Sequence, residues 1–133
     1  MKRTCIISFC LIGILTSFQT HQGLLLTFKN STSEDFERLE VYTKKGFQIF
    51  YNLRKGESTR AISVSESYQF SYAKAITSID TIVTPGYCRL GEKSFSDGNM
   101  VMEFGIKTEK NEKRYLTIKT VIKSSTDSTS LDF

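Results

Sequence analysis

The sequence predicts an all-β protein, an antiparallel two-layer β-sandwich of about seven to nine strands, Ig-like or related. Short apolar runs with a two-residue repeat recur at intervals of about ten residues after residue 23, as they do in sandwiches and barrels. The composition, with Phe 10, Tyr 6 and Pro 1, is typical of strands. Each such strand has one apolar face, and a second layer is needed to bury the apolar faces of the sheet. A closed barrel remains the alternative, because it also buries one face of each strand.

Residues 1–22 have the pattern of an export signal. Lys2 and Arg3 precede an apolar run at residues 5–18, which is shorter than the ~20 residues of a membrane-spanning helix. We therefore expect a signal peptide at 1–22, a β-sandwich domain at 23–123 and a flexible polar tail at 124–133. The mature protein is expected to be secreted or periplasmic. The alternative is an uncleaved anchor, which would keep the leader in contact with the membrane.

The clearest element is a predicted β-hairpin at Asn99 to Lys123. Its first arm places Met100, Met102, Phe104 and Ile106 at alternate positions, and a charged run at 108–114 separates it from a second alternating arm. If these apolar side chains face the core, the hairpin is scaffold. If they face solvent, it becomes a candidate for membrane or partner contact.

Glu103 lies in the middle of the first arm of this hairpin, between Met102 and Phe104. A buried carboxylate needs a partner of opposite charge. If Glu103 is buried, we expect it to pair with a lysine or arginine of the second arm.

The sequence of the first half of the domain predicts further strands joined by turns. Asn30-Ser31-Thr32 is a turn, or a glycosylation acceptor if the source is eukaryotic. Residues 33–46 fit a helix or a strand, and we prefer a strand at about 38–43 followed by a hairpin turn at Lys44-Lys45-Gly46. The remaining predicted strands lie at 24–29, 47–53, 62–64, 68–72 and 76–83, with a short one at 87–90.

The charge pattern argues against nucleic acid as a partner. The formal charge is +4, and without Lys2 and Arg3 the chain retains 16 basic against 14 acidic residues, or +2. Acidic and basic residues also alternate along the predicted exposed segments. A nucleic-acid-binding protein would show a concentrated basic patch.

The residues that most enzymes need are missing. His21 is the only histidine and lies at the end of the leader, so the domain lacks an imidazole base and a zinc cluster. The glycines lack the spacing of a phosphate-binding loop. We therefore expect no enzyme activity, no metal and no cofactor. A carboxylate-dependent glycan hydrolase is an alternative, because two acids suffice for it. Its candidate acids are Glu57, Glu66, Asp80, Glu92, Asp97 and Glu103.

Two further features admit structural and functional interpretations. Cys88 would be the only cysteine of the mature chain, and it is expected to be buried, to link a dimer through an intermolecular disulfide, or to be reactive. Tyr68, Phe70 and Tyr72 would lie on one face of a strand. That face would pack in the core or form a platform for a ligand.

The leading hypothesis is a non-catalytic exported binding domain, monomeric or linked as a dimer by Cys88. It would recognise a protein or cell-surface component through loops or a sheet edge. The first alternative is a membrane-active or pore-forming β protein, and the second is the glycan hydrolase. The candidate binding residues lie in two polar loops and are Arg54, Lys55, Glu57, Arg60, Tyr87, Arg89, Lys93, Phe95 and Asp97.

Overall fold

The computed structural model of the protein describes residues 23–86 and 92–123. The predicted leader and tail, and Tyr87, Cys88 and Arg89, lie outside these ranges. The described residues form strands and no helix, which confirms the all-β prediction. No helix in these ranges is therefore long and apolar enough to cross a membrane. The strands are β1 Leu24–Asn30, β2 Phe36–Thr43, β3 Gly46–Leu53, β4 Ile62–Val64, β5 Ser67–Tyr68, β6 Ala73–Ile76, β7 Thr81–Val83, β8 Ser94–Phe95, β9 Asn99–Thr108 and β10 Arg114–Lys123.

The strands form two four-stranded sheets and one small sheet. Sheet A has the order β10-β9-β1-β4, sheet B the order β3-β2-β6-β7, and sheet C pairs β5 with β8. Over the described ranges neither large sheet closes on itself, so the closed barrel is not the arrangement found. The prediction of wholly antiparallel sheets is wrong at one pairing, because β1 runs parallel to β9. Residues 31–98 separate these strands and are long enough for the crossover that parallel strands require.

One hydrophobic core lies between sheets A and B. Leu24, Leu26 and Phe28 alternate along β1 and are fully buried. The Phe28 ring lies 5.3 Å from Phe50 of sheet B and 6.2 Å from Phe104 of sheet A, measured between centroids. The two sheets therefore pack against each other through this ring.

The hairpin formed by β9 and β10 agrees with its prediction. Met100, Met102 and Phe104 have no exposed surface, and Ile106 packs against the core. The strand register pairs Asn99 with Lys123 at one end and Thr108 with Arg114 beside the turn. The apolar face of the hairpin is therefore scaffold.

Two predicted strands are wrong in detail. The predicted strand at 76–83 is divided by a turn at residues 77–80 between β6 and β7, where the Thr77 hydroxyl accepts hydrogen bonds from the amides of Ile79 and Asp80, each at 3.2 Å. The predicted strand at 68–72 includes only Tyr68 in a strand, within β5. Its three rings therefore do not share one strand face. The additional short strands raise the number to ten in the described part of the chain, above the expected range.

The hairpin of β2 and β3 confirms a strand at 38–43 and determines which residues of β3 face the core. Leu39 pairs with Phe50 and Val41 pairs with Gln48 across the ladder. Leu39 and Val41 are fully buried, and paired residues point to the same side of a sheet. The next residues along β3 alternate to the opposite side, so Phe47, Ile49 and Tyr51 point away from the core.

An arginine at the start of β10 joins three separate segments at one end of the molecule. Arg114 pairs with Glu34, in the loop between β1 and β2, and with Asp80, in the turn between β6 and β7, where the N–O distance is 3.3 Å. The Arg114 side chain is 19% exposed and that of Glu34 is 23% exposed. Arg114 thus connects sheet A to the turn of sheet B.

We expect Arg114→Ala to lower the free energy of unfolding by about 1 to 2 kcal/mol, because it leaves two partly buried carboxylates without their partner and solvent screens part of that cost. Urea denaturation measures the change. Lys119→Ala is the matched control, since Lys119 is an exposed cation on the same strand. Equal midpoints for the two variants would contradict a stabilising role for Arg114.

Candidate functional site

Most of the large hydrophobic side chains that are exposed in the described structure lie on one surface. Eight such residues are at least 40% exposed, and six of them lie on the side of sheet B that faces away from the core. Exposed apolar residues that occur singly are common, whereas a concentration of them is typical of an interaction site. We call these six residues the aromatic face: Tyr42, Phe47, Ile49, Tyr51, Tyr72 and Val83.

The register of the strands arranges the aromatic face in rows across sheet B. In the first row, the Tyr42 amide donates to the Tyr72 carbonyl at 2.9 Å, and the Tyr42 ring lies 5.3 Å from Phe47 in an edge-to-face arrangement. In the last row, the guanidinium carbon of Arg38 lies 5.9 Å from the centre of the Tyr51 ring. Aromatic rings therefore occupy both ends of this face.

A charged network fills the row between them. Glu40 accepts from Arg38 at 2.7 Å and from Lys74 at 3.0 Å. Its side chain is only 13% exposed, while the two cations are each about a third exposed. Ile49 and Val83 lie at the two ends of this row, beside Glu40 and Lys74. The centre of the face thus has its carboxylate neutralised and one positive charge in excess.

The aromatic face ends at an open sheet edge. β3 pairs with β2 on one side, and no strand of the described residues pairs with it on the other. It is eight residues long and contains no charged residue and no proline. Natural edge strands are usually short, charged or interrupted, which prevents unwanted pairing. Over residues 46–51, β3 has none of these protections, and its only non-glycine residue with a left-handed backbone is Asn52, where φ is 54°.

The other edges of the two large sheets differ from β3. β10 has the charged residues Arg114, Lys119 and Lys123. β4 and β7 are three residues long. Among the described strands, β3 is therefore the long, uncharged edge.

The two predicted binding loops lie at opposite ends of β1. The first loop contacts the end of β1, where the Asn30 amide donates to the Glu57 carbonyl at 2.9 Å. The second contacts its beginning, where the Leu25 amide donates to the Gly98 carbonyl at 2.9 Å. Seven strand residues separate the ends by roughly 20 Å. The structure does not bring these loops together into one site.

Within the first loop, the candidate residues lie on the surface beside the end of β3. Arg54, Lys55, Glu57 and Arg60 are exposed. The Arg54 amide donates to the Glu57 carboxylate at 3.1 Å. The Lys55 amide donates to the Asp35 carboxylate at 2.9 Å. This loop therefore borders the open edge.

In the second loop, Phe95 packs against the core and Asp97 is exposed. The Lys93 ammonium lies 5.4 Å from the Phe95 ring. Tyr87, Cys88 and Arg89 are outside the described residues, so the disulfide prediction is untested.

Two surface depressions are lined mainly by polar residues, and neither lining includes a tyrosine. One, of about 1150 Å³, lies where β1 begins and includes Lys45 and Asp97. The other, of about 520 Å³, contains Glu34, Asp35, Glu37 and Arg54. In the second depression, Arg114 pairs with the Glu34 carboxylate, and the Lys55 amide donates to the Asp35 carboxylate. Two of its three acids are therefore already bound by neighbouring groups.

No group of three or more His, Cys, Asp or Glu side chains in the described ranges could hold a metal ion. Glu103 pairs with Lys29 of β1, with an N–O distance of 3.7 Å. The Glu103 side chain is 25% exposed, so the condition for a partner on the second arm, a buried Glu103, is not met. Lys119 of β10 stands opposite Glu103 in the register, but the ion pair described for Glu103 is the one with Lys29.

Comparison with known proteins gives one similar structure. No protein-family model matches the chain, and no curated protein matches it. The chain is similar to the NMR structure of a protein from Eubacterium rectale, with 13% identity and a TM-score of 0.45. The match covers 73% of this chain and 88% of that one. A likeness at this level assigns neither a family nor an activity.

The aromatic face was missed in the sequence, although the sequence contains a signal for it. The β2–β3 hairpin has two alternating series, 39/41/43 and 47/49/51, and alternation alone does not say which of them faces the core. The observed register pairs Thr43 with Gly46, and it places these two series on opposite faces. The length of a hairpin turn is thus the signal that identifies the outer series.

Proposed function

We propose that the protein is an exported, non-catalytic binding domain that recognises a protein partner through the aromatic face and the open edge of β3. The domain would be a β-sandwich of the Ig-like or a related class. The observation that carries the proposal is the concentration of six exposed large hydrophobic residues beside an uncharged eight-residue edge. No other exposed surface of the described residues combines these features.

The composition of this surface suits protein recognition. Protein interfaces are enriched in aromatic residues, and their centres contribute most of the binding energy. Tyr51 is 66% exposed and Phe47 is 57% exposed, so a partner would remove much apolar surface from water by covering them. The tyrosine hydroxyls would form hydrogen bonds at the rim of the interface, while the rings are covered by the partner.

The open edge adds a second means of recognition. A strand of the partner that pairs with β3 would satisfy the unpaired backbone groups along its edge, as in β-strand addition. Alternate side chains of that strand would then lie beside Phe47, Ile49 and Tyr51. Backbone pairing would supply affinity, and these side-chain contacts would supply selectivity.

The alternatives have weaker support. The membrane-active hypothesis depended on an exposed hairpin, but Met100, Met102 and Phe104 are buried. The hydrolase hypothesis needs two free, converging acids, whereas three of its candidate acids, Glu66, Asp80 and Glu103, form ion pairs with Lys44, Arg114 and Lys29. The predicted leader supports export, and the first candidate loop borders the proposed surface.

A photo-crosslinking amino acid at position 49 tests the proposal. In an extract of the source organism, we expect a discrete adduct of defined mass from position 49. The same probe at position 119, on the charged edge β10, is the matched control and should give none. Mass spectrometry of the adduct identifies the partner and the residue joined to position 49.

The specificity of that adduct is tested with Phe47→Ser and Tyr51→Ser together. Both side chains are exposed, so the variant should fold, which circular dichroism and urea denaturation verify. We expect the adduct to fall about tenfold or more, the effect of removing two aromatic contacts from an interface centre. Adducts that form equally at positions 49 and 119, or that survive the double substitution, would contradict the proposal.

A further inference from the structure

The open edge β3 is bracketed by basic residues. Lys44 and Lys45 precede the strand, and Arg54 and Lys55 follow it. Between them, the residues of β3 are all uncharged. The edge therefore presents an apolar centre with a pair of cations at each end.

The cations at the two ends differ in how far they are neutralised. Lys44 pairs with Glu66 at 2.9 Å. Lys45, Arg54 and Lys55 are exposed, and their side chains form no ion pair with another described residue. These three are therefore available to a partner.

Two carboxylates lie near Arg54 and Lys55 and bind their backbone amides. Glu57 accepts from the Arg54 amide, and Asp35 accepts from the Lys55 amide. They reduce the local positive potential, but they leave the side-chain cations free to contact a ligand. Like-charged groups at both ends favour a partner of the opposite charge there.

A second copy of the chain fits this edge less well. An antiparallel pairing of β3 with itself about Ile49 would place Phe47 opposite Tyr51, which is favourable. The same register would place the Lys44–Glu66 ion pair opposite Arg54 at both ends, so a second copy would bring no excess negative charge to Arg54. The charge pattern disfavours self-pairing and favours a different, acidic-ended strand.

We infer that β3 binds an extended polypeptide segment with apolar side chains at alternate positions and Asp or Glu at both ends. This inference rests on the proposed function and adds the chemistry of the partner. Eight paired residues span roughly 25 Å, so the acidic groups would lie about ten residues apart. Their carboxylates would contact Lys45 at one end and Arg54 or Lys55 at the other.

Two synthetic ten-residue peptides test the inference. Both alternate valine and threonine at the six central positions, and one has two glutamates at each end where the other has two lysines. Fluorescence anisotropy measures their affinity for the protein. At low ionic strength we expect the glutamate-ended peptide to bind at least about tenfold more tightly. The ratio should fall at high salt, because these charges are exposed and therefore screened.

Charge reversal provides the matched variants. The double substitution Lys45→Glu with Arg54→Glu should invert the preference between the two peptides. Lys119→Glu with Lys123→Glu, on the opposite edge, should leave it unchanged. Ile49→Lys should weaken both peptides, because a lysine on an edge strand opposes pairing. Urea denaturation first establishes that each variant is folded.

Each outcome decides between the possible occupants. Equal affinity for the two peptides, or failure of the glutamate-ended peptide to bind, overturns the inference. The adduct from position 49 decides the proposed function separately, so the two can fail independently. A dimer seen by sedimentation in the absence of peptide and abolished by Ile49→Lys would identify a second copy as the occupant, and would also overturn the inference.

Discussion

Replacing Phe28 with alanine is expected to lower the free energy of unfolding by about 3 to 5 kcal/mol. Phe28 has no exposed surface, and its ring contacts Phe50 and Phe104. The substitution removes the ring that connects the two sheets and leaves a cavity that neighbouring strands cannot fill, because ladder hydrogen bonds hold them in place. Urea denaturation measures the change through a shift in midpoint.

Phe47→Ala is the matched control for Phe28→Ala. The same side chain is lost from β3, where it is 57% exposed on the aromatic face. We expect a loss below about 1 kcal/mol, as for surface substitutions with few partners. If Phe47→Ala cost as much as Phe28→Ala, Phe47 would lie in the core and the assignment of the aromatic face would be wrong.

Asn30→Ala is expected to cost a comparable amount, about 3 to 5 kcal/mol, because one buried and three partly buried hydrogen bonds are lost together, and each group left unpaired costs ~1–3 kcal/mol. Asn30 is fully buried at the end of β1. Its amide nitrogen donates to the carbonyls of Glu34 and Leu53, at 2.8 and 3.0 Å. Its side-chain oxygen accepts from the amide and the hydroxyl of Thr32, at 3.0 and 2.7 Å.

The control for Asn30→Ala is Asn111→Ala. Asn111 also accepts from a backbone amide, that of Lys113 at 3.2 Å, but it does so in an exposed turn. Water can replace that bond, so we expect a loss of at most about 1 kcal/mol. Urea midpoints that shift equally for the two variants would contradict the role given to Asn30.

The buried amide also bears on the turn Asn30-Ser31-Thr32. A glycan is joined through the side-chain nitrogen of asparagine, and both carbonyl contacts of Asn30 use that nitrogen. A sugar at this position would remove a donor and require space that a fully buried side chain lacks. The turn interpretation therefore fits this fold, and the glycosylated one does not.

Local patterns predicted many of the strands. The β9–β10 hairpin follows from its alternation and charged turn, and β2 follows from the β-branched residues Val41 and Thr43. Segments without such patterns were predicted less well. Residues 76–83 combine strand-forming residues with Ser78 and Asp80, which favour turns, and the bonds of the Thr77 side chain to the amides of Ile79 and Asp80 fix the turn between β6 and β7.

The periodicity of the sequence does not predict which distant strands pair. The parallel pairing of β1 with β9 joins segments about 70 residues apart, and no local signal encodes which strands become neighbours. The same pairing explains why Glu103 contacts Lys29. It also explains why the two candidate loops lie apart, since each attaches to a different end of β1.

The aromatic face, in contrast, was accessible to sequence reasoning. Once Lys44 and Lys45 form the turn, Leu39 and Val41 share a face with Phe50 and Gln48, so Phe47, Ile49 and Tyr51 must share the other. Alternation alone favours burial of the apolar series of β3, because apolar residues usually are buried. An apolar series that the register places on the solvent-facing side of a sheet indicates a binding surface.

Amide hydrogen exchange with and without the glutamate-ended peptide tests the central claim most directly. In the free protein, the amides of β3 that point away from β2 should exchange rapidly, because no described strand pairs with that edge. With peptide bound, we expect protection confined to Gly46–Leu53. Protection that appears instead on β10, or no change along β3, would contradict the assignment of the open edge as the binding surface.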